Sequence, residues 1–248
     1  MFFKFKDIFT LGNLVLSLYA TVVAIDERID GHLEQASLLV VFGWLFDGVD
    51  GIVARWTRSA NQFGAQFDNL VDLFIYSVAP AFVLFAFCRP TSEVLAFALM
   101  AFVIGIGSLR LARFNTRPLD YPGYWIGLPR PAVGLFIVFL LNSRLFNYLH
   151  LELAVGPLVI LVGLLNLSYL PYRNHKQSFN WPRLVTMYLI VFACVALRPW
   201  GYMWDLALLW MVLYVLSPLL FISAQERRKV REFVAEWKRA VVAPENTA

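Results

Sequence analysis

The sequence predicts an all-α, polytopic membrane bundle of about eight transmembrane helices with both termini in the cytoplasm. Three observations lead there. Of 248 residues, 60% are apolar and only 15% charged, and the mean hydropathy is +0.65, more apolar side chain than one soluble core takes up. The apolar residues gather into runs near the roughly 20 residues that cross a bilayer. Lys and Arg fall mainly on one side of those runs.

The runs follow one another with turn signals between them. Phe9 to Ile25 comes first, behind Lys4 and Lys6, and Asp30-Gly31 separates it from Gln35 to Trp56. Phe63 to Phe87 stops at Arg89-Pro90, and Glu93 to Phe114 leads into a stretch bounded by Pro118 and Pro131. Pro131 to Tyr148 and Leu151 to Leu170 follow, the latter closed by Pro171. Arg183 to Leu197 lies between Pro182 and Pro199-Trp200-Gly201, and Tyr202 to Ser223 completes the set.

With the N-terminus inside, only four of the 21 Lys and Arg, at Arg28, Arg89, Arg144 and Arg198, fall on the outer side. That asymmetry orients an even number of spans with both ends cytoplasmic. Residues 1–223 read as one membrane domain and 224–248 as a basic cytoplasmic tail. In the tail, Phe233 and Trp237 stand at helical spacing among Arg227, Arg228, Lys229, Arg231, Lys238 and Arg239. An amphipathic helix on an anionic leaflet and a solvated basic end both suit that pattern.

The composition also excludes several function classes. Cys88 and Cys194 sit far apart in apolar runs, and His32, His150 and His175 share no ligand spacing, which argues against redox pairs and zinc. The net charge of +4 belongs to cytoplasmic loops, so nucleic acid is not an expected partner; membrane lipids are.

The informative stretch joins the second and third runs. Asp47 and Asp50 are three residues apart and Asp68 and Asp72 four apart, so each pair projects from one helical face. An Asp in mid-membrane costs about 2.5–3.5 kcal/mol on insertion scales, and four together require countercharge. Arg55 and Arg58 supply two positive charges; four carboxylates on two helices otherwise make a cage for hard divalent cations, Mg2+, Mn2+ or Ca2+. Gly48, Gly51, Ala54 and Gly64 leave space beside the acids, enough for a nucleotide or pyrophosphate bridged by cations. Residue chemistry alone also admits an Asp/Arg packing network and a cation or proton transporter.

Written out, Asp47 to Asp72 is D-x2-D-G-x2-A-R-x8-G-x3-D-x3-D. This resembles the signature of the CDP-alcohol phosphatidyltransferases, integral membrane enzymes that move a phosphatidyl group from a CDP-linked lipid to an alcohol and release CMP. The resemblance implies that Asp47, Asp50, Asp68 and Asp72 hold two divalent metals, Mg2+ or Mn2+ before Ca2+, against the pyrophosphate. It implies that Gly51, Ala54 and Gly64 make room for cytidine, that Arg55 touches phosphate, and that Asp72 also takes the proton of the acceptor hydroxyl. It further implies a cell inner membrane or its equivalent and a site facing the cytoplasm, and it is compatible with a homodimer.

Outside the motif, Ser108 to Asn115, Gly127 to Ala132, Leu167 to Tyr172 and Leu11-Gly12-Asn13 are similar to segments of the phosphatidylserine synthase branch. That branch implies CDP-diacylglycerol and L-serine as substrates. Arg110 and Arg113 share a helix face, and a guanidinium fork suits serine's carboxylate, so Arg110, Arg113, Asn115 and Arg130 are the expected acceptor residues. Glycerol 3-phosphate, inositol or inositol phosphate remain alternative acceptors, because a phosphate attracts arginines equally. Eight spans are more than a bare family pattern requires, and Arg130 stands where a small or polar residue is expected.

Overall fold

A computed structural model describes residues 6–56, 62–149, 152–174 and 201–242. The described chain is a helical bundle with a small antiparallel sheet at one end. Its helices are α1 (Lys6–Ile25), α2 (His32–Trp56), α3 (Gln62–Leu73), α4 (Ala79–Cys88), α5 (Glu93–Thr116), α6 (Arg130–Asn142), α7 (Arg144–Tyr148), α8 (Val155–Leu167), α9 (Met203–Leu220) and α10 (Ala224–Val242). Strands β1 (Asp120–Tyr121), β2 (Tyr124–Ile126) and β3 (Pro171–Arg173) form the sheet.

Among the described residues, four helical segments are long and apolar enough to cross a membrane: Asp7–Ile25, Gln62–Cys88, Glu93–Thr116 and Met203–Leu220. Arg130–Asn142 and Val155–Leu167 are apolar but shorter. Helices occupy each described run read from the sequence, whereas the run from Arg183 to Leu197 lies outside the described residues. The fifth run is divided: α6 ends at Ser143, whose hydroxyl caps α7 by accepting from Phe146 N.

α6 is the centre of the bundle. Every residue from Ala132 to Leu141 is buried, as an all-round apolar helix requires, and α2, α4, α8 and α9 pack about it. Val15, Val94, Leu164 and Leu209, on α1, α5, α8 and α9, keep more than half of their surface exposed and form an apolar exterior suited to lipid. α1 reverses the soluble pattern, burying Asp7, Thr10, Asn13 and Ser17 along one face while Val15, Leu18 and Val22 point out.

The third run is one helical path from Gln62 to Cys88, with a π-helical segment at Phe74–Val78 where Ala79 N–H donates to Phe74 O. Its cause is in the sequence. Pro80 has no N–H to give Tyr76 O four residues back, and its ring would collide with that carbonyl in a regular α-helix. The wider turn is accommodated by glycines from three neighbouring helices. A Cβ on Gly43 of α2 would lie 2.2 Å from Ile75, one on Gly134 of α6 would lie 2.6 Å from Tyr76 O, and one on Gly107 of α5 would lie 2.1 Å from Ser77 Oγ.

The stretch between Pro118 and Pro131, expected only as a break, contains β1 and β2. Pro122-Gly123 makes their turn, with Gly123 at φ +80°. The strand order is β1-β2-β3, and Tyr124 pairs with Arg173, Trp125 with Tyr172 and Ile126 with Pro171. The tail forms α10, but its apolar face meets this sheet: Val230 and Val234 are buried against Ile126, with Leu119, Tyr121 and Phe233 around them. Phe233, read from the sequence as facing either a leaflet or solvent, stands edge-on to Tyr121 at 5.2 Å between centroids.

Candidate functional site

The site lies where the C-terminal half of α2, helix α3, the first turn of α6 and the last turn of α5 approach one another. Three of the four motif aspartates come together. Asp47 on α2 and Asp68 and Asp72 on α3 each offer a carboxylate oxygen within 4.8 Å of the others. All three are half-buried, shielded enough to need compensation and open enough to admit a ligand. The donors are all carboxylate oxygens, a chemistry that fits a hard divalent cation.

Asp50, Gly51, Ala54 and Arg55 belong to α2, but their surroundings lie outside the described residues, as does Arg58. Gly64 is buried in the first turn of α3.

Among the described residues, Arg130 brings a positive charge to the cluster. Its Nη2 donates to Asp72 Oδ2 and to Asn69 Oδ1, each at 3.2 Å, while Nη1 donates to Asn69 O at 3.2 Å. Asn69 Nδ2 in turn donates to Asn115 Oδ1 at 3.4 Å. A polar chain therefore runs from Asp72 through Arg130 and Asn69 to Asn115. Asn69 was not singled out in the sequence, although it stands beside Asp68 in the motif.

Arg110 and Arg113 are placed differently. Arg110 donates from Nη1 to the carbonyls of Asn166 and Ile126 and from Nη2 to Gly127 O. Arg113 donates from Nη1 to Leu167 O at 2.8 Å and from Nη2 to Ile126 O at 3.5 Å. Asn166 and Leu167 end α8, where unpaired carbonyls and the negative end of the helix dipole favour cations. Both guanidiniums thus fasten the β2–α6 loop to the end of α8. Gly127 is needed there: φ is +79°, and a Cβ would lie 2.6 Å from Ser168 O and 2.7 Å from Arg110 Nη1. Asn166 contributes to the same packing by donating Nδ2–H to Leu128 O at 2.7 Å.

Tyr169 links this region to the tail. Arg113 lies 5.6 Å from its ring centroid and the Lys238 ammonium of α10 lies 4.0 Å from it. Near the start of α10, hydrogen bonding from the Tyr124 hydroxyl holds the Glu226 carboxyl below its usual range, aided by Ser223 and by the Arg173 charge. Burial, followed by the nearby Glu226, raises the Tyr124 hydroxyl.

Residues 5–166 match the sequence profile of the CDP-alcohol phosphatidyltransferase family. The chain belongs to that family. A relative from Helicobacter pylori named CDP-diacylglycerol--serine O-phosphatidyltransferase is 30% identical over 203 residues, covering 79% of this chain and 83% of its own length. A Methanocaldococcus jannaschii protein of the same name is 32% identical over 179 residues, covering 71% and 80% respectively. A third of that name, from Saccharomyces cerevisiae, is 31% identical over 138 residues, or 51% of this chain and 49% of its own. The matched segment contains every aspartate of the cluster and Arg130.

Proposed function

We propose that this enzyme transfers the phosphatidyl group of CDP-diacylglycerol to the hydroxyl of L-serine, forming phosphatidylserine and releasing CMP. The observation that carries the reading is the meeting of the Asp47, Asp68 and Asp72 carboxylates, with Arg130 against Asp72. The names of the relatives support serine as the acceptor. The basic excess of the connecting segments and tail supports a site that faces the cytoplasm.

Asp47, Asp50, Asp68 and Asp72 would hold a pair of Mg2+ or Mn2+ ions, whose charge would neutralise the pyrophosphate and stabilise the leaving CMP. Gly51, Ala54 and Gly64 leave room for the cytidine, and Arg55 pairs with phosphate. Asp72 accepts the serine hydroxyl proton as that oxygen bonds to the phosphatidyl phosphorus and the bond from phosphorus to the CMP oxygen breaks. Arg130 orients Asp72 by donating to its Oδ2. Arg130 and Asn115 receive the serine carboxylate at the Asp72 end of the pocket. Arg110 and Arg113 complete the acceptor pocket by fixing the carbonyl-rich loops that frame it and by supplying positive charge.

Purified protein supplied with CDP-diacylglycerol and Mn2+ or Mg2+ is assayed for CMP release with serine, glycerol 3-phosphate, inositol, inositol phosphate or no acceptor. Serine-dependent release that stops with chelator is the expected outcome. Release with another alcohol alone would retain the chemistry and overturn the acceptor. Absence of release with every acceptor, together with ion flux in vesicles, would favour transport.

A further inference from the structure

Tyr76 has no part in the chemistry described above, yet its side chain ends at the aspartate cluster. Its hydroxyl donates to Asp47 Oδ2 at 2.9 Å, and the residue is 0% exposed. Its place is set from both sides. Asp68, Asp72 and Tyr76 recur every fourth residue, so the tyrosine continues the ridge that carries the two acids. The π-helical segment begins two residues before it, and π-turns inside α-helices are frequent at functional sites. Gly134 receives the Tyr76 carbonyl, while Gly43 and Gly107 receive Ile75 and Ser77 on either side of it. A ring held in this way delivers its hydroxyl to one place.

That place is a carboxylate. A buried tyrosine is satisfied by any carbonyl in reach, so packing alone gives no reason for it to bind an acid. A hydrogen bond to a ligating carboxylate fixes its rotation and tunes its donor strength, and such outer contacts commonly change metal affinity about 10- to 100-fold. We propose that Tyr76 is a positioning residue for the divalent-cation site: its hydroxyl holds the Asp47 carboxylate in the orientation that meets Asp68 and Asp72, and so sets the cation affinity. This rests on the reading of the aspartates as metal ligands. The effect passes through Asp47, the residue that the Tyr76 hydroxyl touches.

The test is titration of purified protein with Mn2+, read from the paramagnetic resonance of the unbound ion, with no lipid or acceptor present. Wild type, Tyr76→Phe, Asp47→Asn and the double variant are compared, and the metal-free melting temperature of each is recorded. Tyr76→Phe keeps the ring and its packing and removes one oxygen. The expected result is a 10- to 100-fold weaker Mn2+ affinity for Tyr76→Phe, with no further loss when it is added to Asp47→Asn. Wild-type affinity in Tyr76→Phe would overturn the proposal while leaving the metal site intact. Equal, independent losses in both backgrounds would also overturn it, since the tyrosine would then not act through Asp47. If wild type binds no Mn2+, the metal reading fails and this inference falls with it. If Tyr76→Phe does not yield folded protein, Gly134→Ala, which displaces the Tyr76 carbonyl, supplies the same comparison: unchanged Mn2+ affinity there would overturn the proposal.

Discussion

The Arg130 guanidinium lies 3.2 Å from the Asp72 carboxylate, and these side chains are only 12% and 18% exposed. The last acid of the motif is therefore tied to the first turn of α6, the helix at the centre of the bundle. A carboxylate in this position is oriented without being sealed from a ligand.

Asp72→Asn preserves the size of the side chain and removes its capacity to accept a proton. Serine-dependent CMP release should fall about 10²- to 10⁴-fold, the usual contribution of a positioned base. The melting temperature should stay close to wild type, because an amide oxygen still accepts from Arg130. Near-normal turnover would remove Asp72 from the role of base.

Arg130→Ala should be more damaging to stability than Asp72→Asn, since it takes the guanidinium away from a shielded carboxylate whose charge remains. Removing one member of a buried pair costs about 3–5 kcal/mol, and partial exposure here puts the expectation below that range. Adding Asp72→Asn to Arg130→Ala should recover part of the loss. Thermal unfolding of the four proteins in one detergent gives the coupling, and additive losses would mean that the pair is not energetically linked.

Two glycines on one helix should respond oppositely to alanine. A Cβ on Gly107 would meet the Ser77 side chain at 2.1 Å, whereas one on Gly105 meets nothing within 4 Å. Gly107→Ala should cost about 1–3 kcal/mol by overpacking. Gly105→Ala should be neutral or stabilising by up to about 1 kcal/mol, from helix propensity. Equal melting temperatures would contradict the close fit around the π-helical segment.

The contact between α10 and the sheet should weaken in acid. Glu226 has its carboxyl pKa lowered in the folded protein, so its contribution is complete above the ordinary glutamate range and fades as pH falls through the lower folded value. Hydrogen exchange in residues 224–242 should accelerate over that window. Glu226→Gln should show faster exchange already at neutral pH and little further change on acidification. Val230→Asp, which places a charge in a buried contact with Ile126, should release the helix at every pH.

Much of the fold was legible because membrane helices announce themselves by run length, and the helices fall on each described run. The sheet was not legible: β1, β2 and β3 contain two or three residues each, too short for an alternating pattern to register, and β3 is distant in sequence. The aspartate spacing identified three residues that do converge. Tyr76 escaped notice because an aromatic residue in an apolar run reads as packing, although Pro80 four residues later marked the local disturbance. Arg110 and Arg113 were legible as a pair on one face but not as donors to carbonyls, since those carbonyls come from segments brought close only by folding.

The sequence by itself determined a membrane helix bundle and the residue types of its site, because apolar run length and the three- and four-residue recurrence of aspartates act within a single helix. Which cation stands against Asp72, which hydroxyl reaches Asp47, and which surface covers the apolar face of α10 were decided only by tertiary structure. The first two depend on the approach of separate helices, which is governed by the glycines that let backbones close and by the proline that reshapes α3 and α4, and the third on strands that pair only once distant segments meet.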